Sequence, residues 1–109
     1  MACGILNCNG EILSRWRTEY PRSYSAKDII DCIREGYRAL SAQEYCSVCG
    51  VTVPGLCDVN TGKWLYAPFS GLADIPITDI ITEITGMPAY ADNDVNLCAL
   101  AERYFGACR

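Results

Sequence analysis

Histidine is missing altogether from the 109 residues, and basic residues are outnumbered, nine against thirteen acidic, for a formal charge of -4. Without imidazole, a zinc site has to rely on thiolates or carboxylates. Without a basic excess, the chain carries no electrostatic footprint for nucleic acid or for an anionic membrane surface. No apolar run approaches the roughly eighteen residues of a membrane-spanning helix, and no charged segment followed by an apolar one marks a secretory leader. A cytoplasmic protein is therefore the expectation. Internal repeats, low-complexity tracts and linkers are also missing, so one domain over residues 1–109 is expected, large enough for a single core. Half of the residues are hydrophobic, which argues against disorder.

Cysteine is plentiful: Cys3, Cys8, Cys32, Cys46, Cys49, Cys57, Cys98 and Cys108. Such a density is found in disulfide scaffolds and metal sites. A disulfide scaffold calls for a secreted context and a small core, and the sequence offers neither. Cys46-Ser47-Val48-Cys49 has the spacing of half a zinc site, yet no second cysteine pair or histidine follows at the usual distance. If residues 46–53 form a strand, the two thiols also point to opposite faces. Thiols that pack as small hydrophobes, with no metal, are expected.

Along the chain, Ala2–Cys8 and Glu11–Tyr20 are β-rich and joined by Asn9-Gly10, which suits a two-residue hairpin turn. Pro21-Arg22-Ser23-Tyr24 breaks the pattern, and Ser25 with Asp28 forms a capping-box-like helix start. Ile29, Ile33, Tyr37 and Leu40, with Ile30 beside them, make the buried stripe of that helix. A buried strand is expected over Tyr45–Val53, ended by Pro54-Gly55. Asn60-Thr61-Gly62 then turns the chain into Lys63–Tyr66. Ile77, Ile80, Ile81 and Ile84 fall at i, i+3, i+4 and i+7, with Gly86 as a stop, so a short helix fits. Pro88–Tyr90 reads as a short strand, and Asp94–Tyr104 as a helix with Gly106 at its C′ position. Strands and helices alternate from Ser25 onward, which favours an α/β fold, a mixed sheet flanked by helices.

The densest signal is Asp92-Asn93-Asp94, followed by a small-residue helix through Ala101-Glu102 to Phe105-Gly106. It places two acids and an amide at a strand's carboxyl end, where open α/β sheets hold ligands. Upstream lies Gly50-Val51-Thr52-Val53-Pro54-Gly55, then Asp58, Thr61-Gly62 and Ala67-Pro68, and after it Gly71-Leu72-Ala73-Asp74-Ile75-Pro76-Ile77. In order and spacing these segments resemble the repressor, open-reading-frame and kinase (ROK) family of sugar kinases and sugar-responsive repressors. The resemblance covers roughly residues 45 to 106. It implies part of an actin-like ATPase, ribonuclease H-like lobe, a partial N-terminal lobe whose first strand is missing. Family kinases open with an Asp-x-Gly-Gly-Thr phosphate loop; no two glycines are adjacent here, and Met1–Leu6 resembles the family's second strand. The family's His and cysteine zinc segment has no counterpart either.

The resemblance also implies roles. Asp94 matches the carboxylate that accepts a sugar hydroxyl's proton, Asn93 the amide that fixes sugar hydroxyls, and Gly55 a glycine that lets sugar approach the backbone. Leu56 stands where the family is sometimes polar, and Pro68-Phe69 where it has Pro-Asn, so specificity does not carry over. No cofactor is expected in this chain; ATP and Mg²⁺ belong to the family kinases. A base without bound nucleotide cannot transfer phosphate, so the chain is expected to be inactive alone.

Each residue also has a plainer reading. Asp92, Asn93 and Asp94 suit a helix N-terminus, Pro54-Gly55 an ordinary turn, and Trp16 and Trp64 core or strand-pairing positions. Arg15, Arg17 and Arg22 have Glu11 and Glu19 interspersed among them, as on a solvated strand face. Three functions stand: the sugar-binding half of a sugar kinase, the effector-binding part of a sugar-responsive repressor, and an interaction module without ligand. A sugar or sugar phosphate is the expected partner, with no nucleic acid or membrane contact through this segment. Loss of a central strand would also expose sheet edges, so homo-oligomers formed by sheet pairing are expected.

Overall fold

A computed structural model describes residues 1–19, 24–41, 45–67 and 71–106. The break at Pro21–Ser23, Arg22, the Pro68-Phe69 departure and Cys108 fall outside these residues. The first two strands, β1 (Ala2–Leu6) and β2 (Ile12–Arg17), pair antiparallel. Both stop short of their expected ends, and Asn9-Gly10 is not a two-residue turn. Leu6 pairs with Ile12, and Asn7 organises the longer connection between them. Its side-chain oxygen accepts from the backbone of Asn9 and Glu11 at 3.0 Å each, and its amide donates to Glu11 Oε2 at 3.1 Å. An Asx side chain that mimics a backbone turn outcompetes the tighter hairpin.

Helix α1 (Ala26–Ser41) begins as expected. Ser25 N donates to Asp28 Oδ2 at 2.8 Å, and Asp28 N donates to Ser25 Oγ at 3.3 Å, the reciprocal pair of a capping box. Ile29 and Leu40 are buried, whereas Tyr37 and Ile30 turn toward a groove that Ile80 and Ile84 also line. The residue the periodicity did not reveal is Gly36, where a Cβ would come within 2.9 Å of Cys3 Sγ and of Trp16 Cε3. The hairpin packs directly on the helix backbone there.

The next strand, β3, runs over Cys49–Val53 and not from Tyr45, which is almost fully exposed. A strand extends only as far as its partner: β3 pairs in parallel with the last strand, whose first ladder residue, Ala89, lies opposite Cys49. Three short strands follow. Strands β4 (Leu56–Asp58), β5 (Lys63–Tyr66) and β6 (Ala73–Ile75) form an antiparallel sheet in that order. β4 and β6, at three residues each, left no readable period in the sequence. Helix α2 (Ile77–Thr85) carries the isoleucine stripe inward, with Ile77 and Ile81 buried, and ends at Gly86 as expected.

Strand β7 spans Ala89–Asn93, longer than Pro88–Tyr90, so two of the polar residues read as a turn belong to the strand. Helix α3 (Asp94–Phe105) follows at once. Gly106 closes it in an extended conformation, and an added Cβ there would run into the Glu102 carboxylate. The core joins Ile29, Val53, Trp64, Ala67, Ile75, Ile77, Ile81 and Ala91. The architecture is mixed α/β as expected, but among the described residues the strands form three separately bonded sheets: β1-β2, β3-β7 and β4-β5-β6. None of the described helices is long and apolar enough to cross a membrane.

Two half-buried carboxylates tie this fold to pH. Hydrogen bonds from the Ser25 backbone and hydroxyl hold Asp28 below the usual carboxylate range. Bonds from the Asn60 and Thr61 backbones do the same for Asp58 at the β4-β5 turn. Both acids bind protons more tightly when the chain is unfolded, so they stabilise the fold above the ordinary value of about 4 and stop doing so as pH falls through their lower folded values. Melting temperature is expected to fall over that acid window, and less steeply in an Asp28→Asn/Asp58→Asn variant. Equal slopes for parent and variant would refute this.

Candidate functional site

The parallel pair β3-β7 ends in register, with Val53 opposite Asn93. The chain leaves β3 through Pro54-Gly55 and leaves β7 directly into α3, so two connections meet at one carboxyl edge. Asn93 joins them. Its Nδ2 donates to Gly55 O at 2.5 Å, while its Oδ1 accepts from Val95 N at 2.9 Å and Asn96 N at 3.3 Å. One amide thereby caps α3 and anchors the β3-β4 turn. Both lone pairs of the oxygen are engaged, which leaves one amide hydrogen for anything else.

Asp94 is the first residue of α3 and is exposed, its carboxylate at the positive end of the helix. Asp92 braces the same corner: its Oδ1 accepts from Asn93 N at 2.7 Å and from Asn96 Nδ2 at 3.2 Å. Gly55 holds φ at 85°, in the left-handed region open to glycine. Gly55, Asn93 and Asp94, marked in the sequence, thus sit together, and Leu56 beside them is 63% exposed. The capping reading of Asn93 is correct, and the same side chain also holds Gly55 O. Near them Cys57 is a poor nucleophile: burial raises its thiol pKa, and the charges of Asp92 and Asp58 raise it further.

Sequence reasoning missed the supports. Trp64 is 5% exposed and its Nε1 donates to Pro54 O at 2.7 Å. Thr78 donates to Gly62 O through both its backbone N, at 3.3 Å, and its hydroxyl, at 3.2 Å. This bond stands in for a side-chain cap at the start of α2, where Pro76 provides none. Nothing local announces either contact, because the partners lie ten and sixteen residues apart. The seven described cysteines are free thiols, and no group of three metal-ligating side chains occurs among the described residues.

These features define a class: an α/β lobe that gathers a glycine turn, an amide and a carboxylate at the carboxyl edge of parallel strands, on the fold of the actin-like sugar kinases. Within that class the chain belongs to the ROK family, whose model matches residues 1–109. It is 29% identical over 107 residues to the glucokinase of Thermotoga maritima, covering 97% of this chain and 34% of that protein. The xylose repressor of Caldicellulosiruptor bescii is 35% identical over 57 residues, 52% of this chain and 14% of the repressor. The structure of a ROK family glucokinase from Streptomyces griseus, in complex with glucose and AMPPNP, superposes with a TM-score of 0.88 at 28% identity over 99% of this chain and 34% of that one. The chain therefore spans about a third of the length of these kinases.

Proposed function

We propose that this chain supplies the sugar-contacting edge of a sugar kinase or of a sugar-responsive repressor, with Gly55, Asn93 and Asp94 as the contacts. The observation that carries this reading is the Asn93 bridge, which draws Gly55 and Asp94 to one edge and leaves the carboxylate exposed. The remaining Asn93 amide hydrogen is a donor for a sugar hydroxyl. The Gly55 backbone accepts close approach because no side chain stands in the way. Asp94 accepts a hydrogen bond from a hydroxyl in a repressor, and in a kinase it also takes the hydroxyl proton, leaving the sugar oxygen nucleophilic. The phosphate donor of such kinases is ATP with Mg²⁺; this sequence has no paired-glycine loop to cradle it, and no residue here is assigned to it.

The test is calorimetric titration of the protein, as expressed from its gene, with D-glucose and with D-xylose. Saturable binding of one of them is expected, weakened about tenfold in Gly55→Ala, because forcing an alanine into the left-handed region costs on the order of 1–2 kcal/mol. An interaction module without ligand gives no heat with either sugar, and that outcome sinks the reading. Sugar-dependent consumption of ATP then separates kinase from repressor.

A further inference from the structure

The Pro54-Gly55 peptide is the middle peptide of a tight connection, with proline ahead of a glycine at φ 85°. Such a peptide has two orientations, roughly opposite, which is what separates type I from type II turns. Glycine at its second position resists neither orientation. What holds it here are two side chains from other parts of the molecule. Trp64, on β5, donates its indole N–H to Pro54 O at 2.7 Å, and Asn93 donates to the next carbonyl, Gly55 O. Two consecutive carbonyls are thus pinned from the core side.

We propose that Trp64 is a positioning residue for the sugar site, its indole N–H selecting the orientation of the Pro54-Gly55 peptide. Because the described peptides contain no cis bond, the Gly55 N–H points opposite to Pro54 O. With that oxygen turned toward the buried indole, the Gly55 N–H faces the open side of the turn. A buried indole N–H is costly to leave without an acceptor, so the tryptophan and the turn lock each other. The effect reaches across sheets, since β5 belongs to the antiparallel sheet while Gly55 follows the parallel pair. Trp16, by contrast, packs on Gly36 of α1, far along the chain from this turn, and serves as the matched control.

The inference rests on the sugar-site reading, and the experiment separates the two. The protein as expressed from its gene is labelled with ¹⁵N and titrated with D-glucose and D-xylose, as parent, Trp64→Phe and Trp16→Phe. Phenylalanine keeps an aromatic ring and removes the N–H, so melting curves check that each variant is folded. The expected result is that sugar displaces the Gly55 amide resonance in the parent and in Trp16→Phe. In Trp64→Phe the free-state Gly55 resonance is already shifted and affinity is about tenfold lower, the effect of one lost hydrogen bond. Equal affinity and an unshifted Gly55 resonance in Trp64→Phe overturn the role of Trp64 while leaving the site intact. Absence of binding by the parent overturns the site reading itself, and the inference with it. If Trp64→Phe does not fold, a Trp64 indole N–H in the parent that exchanges freely with solvent overturns the role, and a protected one supports it.

Discussion

On the proposed kinase reading, Asp94→Asn is expected to lower the rate of sugar phosphorylation by about 100- to 10,000-fold, the range supplied by a positioned general base, and to weaken sugar binding about tenfold through the loss of a charge-assisted hydrogen bond. Asparagine keeps the size and the hydrogen-bonding reach of the side chain but cannot take a proton. The substitution isolates chemistry from folding because Asp94 is exposed and its nearest hydrogen bond, to Val95 N at 2.9 Å, is local. Its favourable position at the α3 N-terminus contributes about 0.3–1 kcal/mol, so the melting temperature should drop by only a few degrees. Steady-state kinetics with D-glucose beside a thermal melt reads both quantities. A rate within threefold of the parent would remove Asp94 from the chemistry. If the protein has no turnover, the readout is that loss of affinity alone.

The second large effect is on folding. Gly62→Ala is expected to destabilise the protein by about 3 kcal/mol, the sum of a left-handed backbone penalty and an overpacking term of about 1–2 kcal/mol each. Gly62 sits at φ 70°, and an ideal Cβ would overlap the Thr78 hydroxyl and lie 2.8 Å from both Thr78 Cβ and Cγ2. Thr78 cannot withdraw cheaply: it is buried and hydrogen-bonds to Gly62 O, and it opens α2 where no side chain caps the helix. A fall in melting temperature of more than 10 °C follows from about 3 kcal/mol in a domain of this size. The double variant Gly62→Ala/Thr78→Ala removes the overlap but keeps the positive φ. It should therefore recover part of the loss, with a coupling of at least about 0.5 kcal/mol. Additive single effects would show that the steric argument is wrong and that backbone strain acts alone.

Local signals were legible wherever their physics is local. The Ser25/Asp28 box, the isoleucine stripe at 77, 80, 81 and 84, and the Gly86 stop each depend on groups within one or two helical turns. The Asp92-Asn93-Asp94 run could be read both as a cap and as a site, and Asn93 performs the capping role while holding Gly55. Strand ends were misplaced for the opposite reason. Tyr45–Val53 is apolar enough to be a strand throughout, but only Cys49–Val53 finds a partner. Asp92 and Asn93 look like turn residues, yet they continue β7 because Thr52 and Val53 lie opposite them.

The division is one of range. By itself the sequence determined the helices, the family and the three residues worth testing, because periodicity, caps and motif spacing are written within short windows. Only the tertiary structure decided that Asn93 reaches Gly55 across 38 residues, that Trp64 pins Pro54, and that Thr78 closes on Gly62. Those contacts form when separate elements pack, and a hydrogen bond between residues so distant leaves no periodic trace in the chain that makes it.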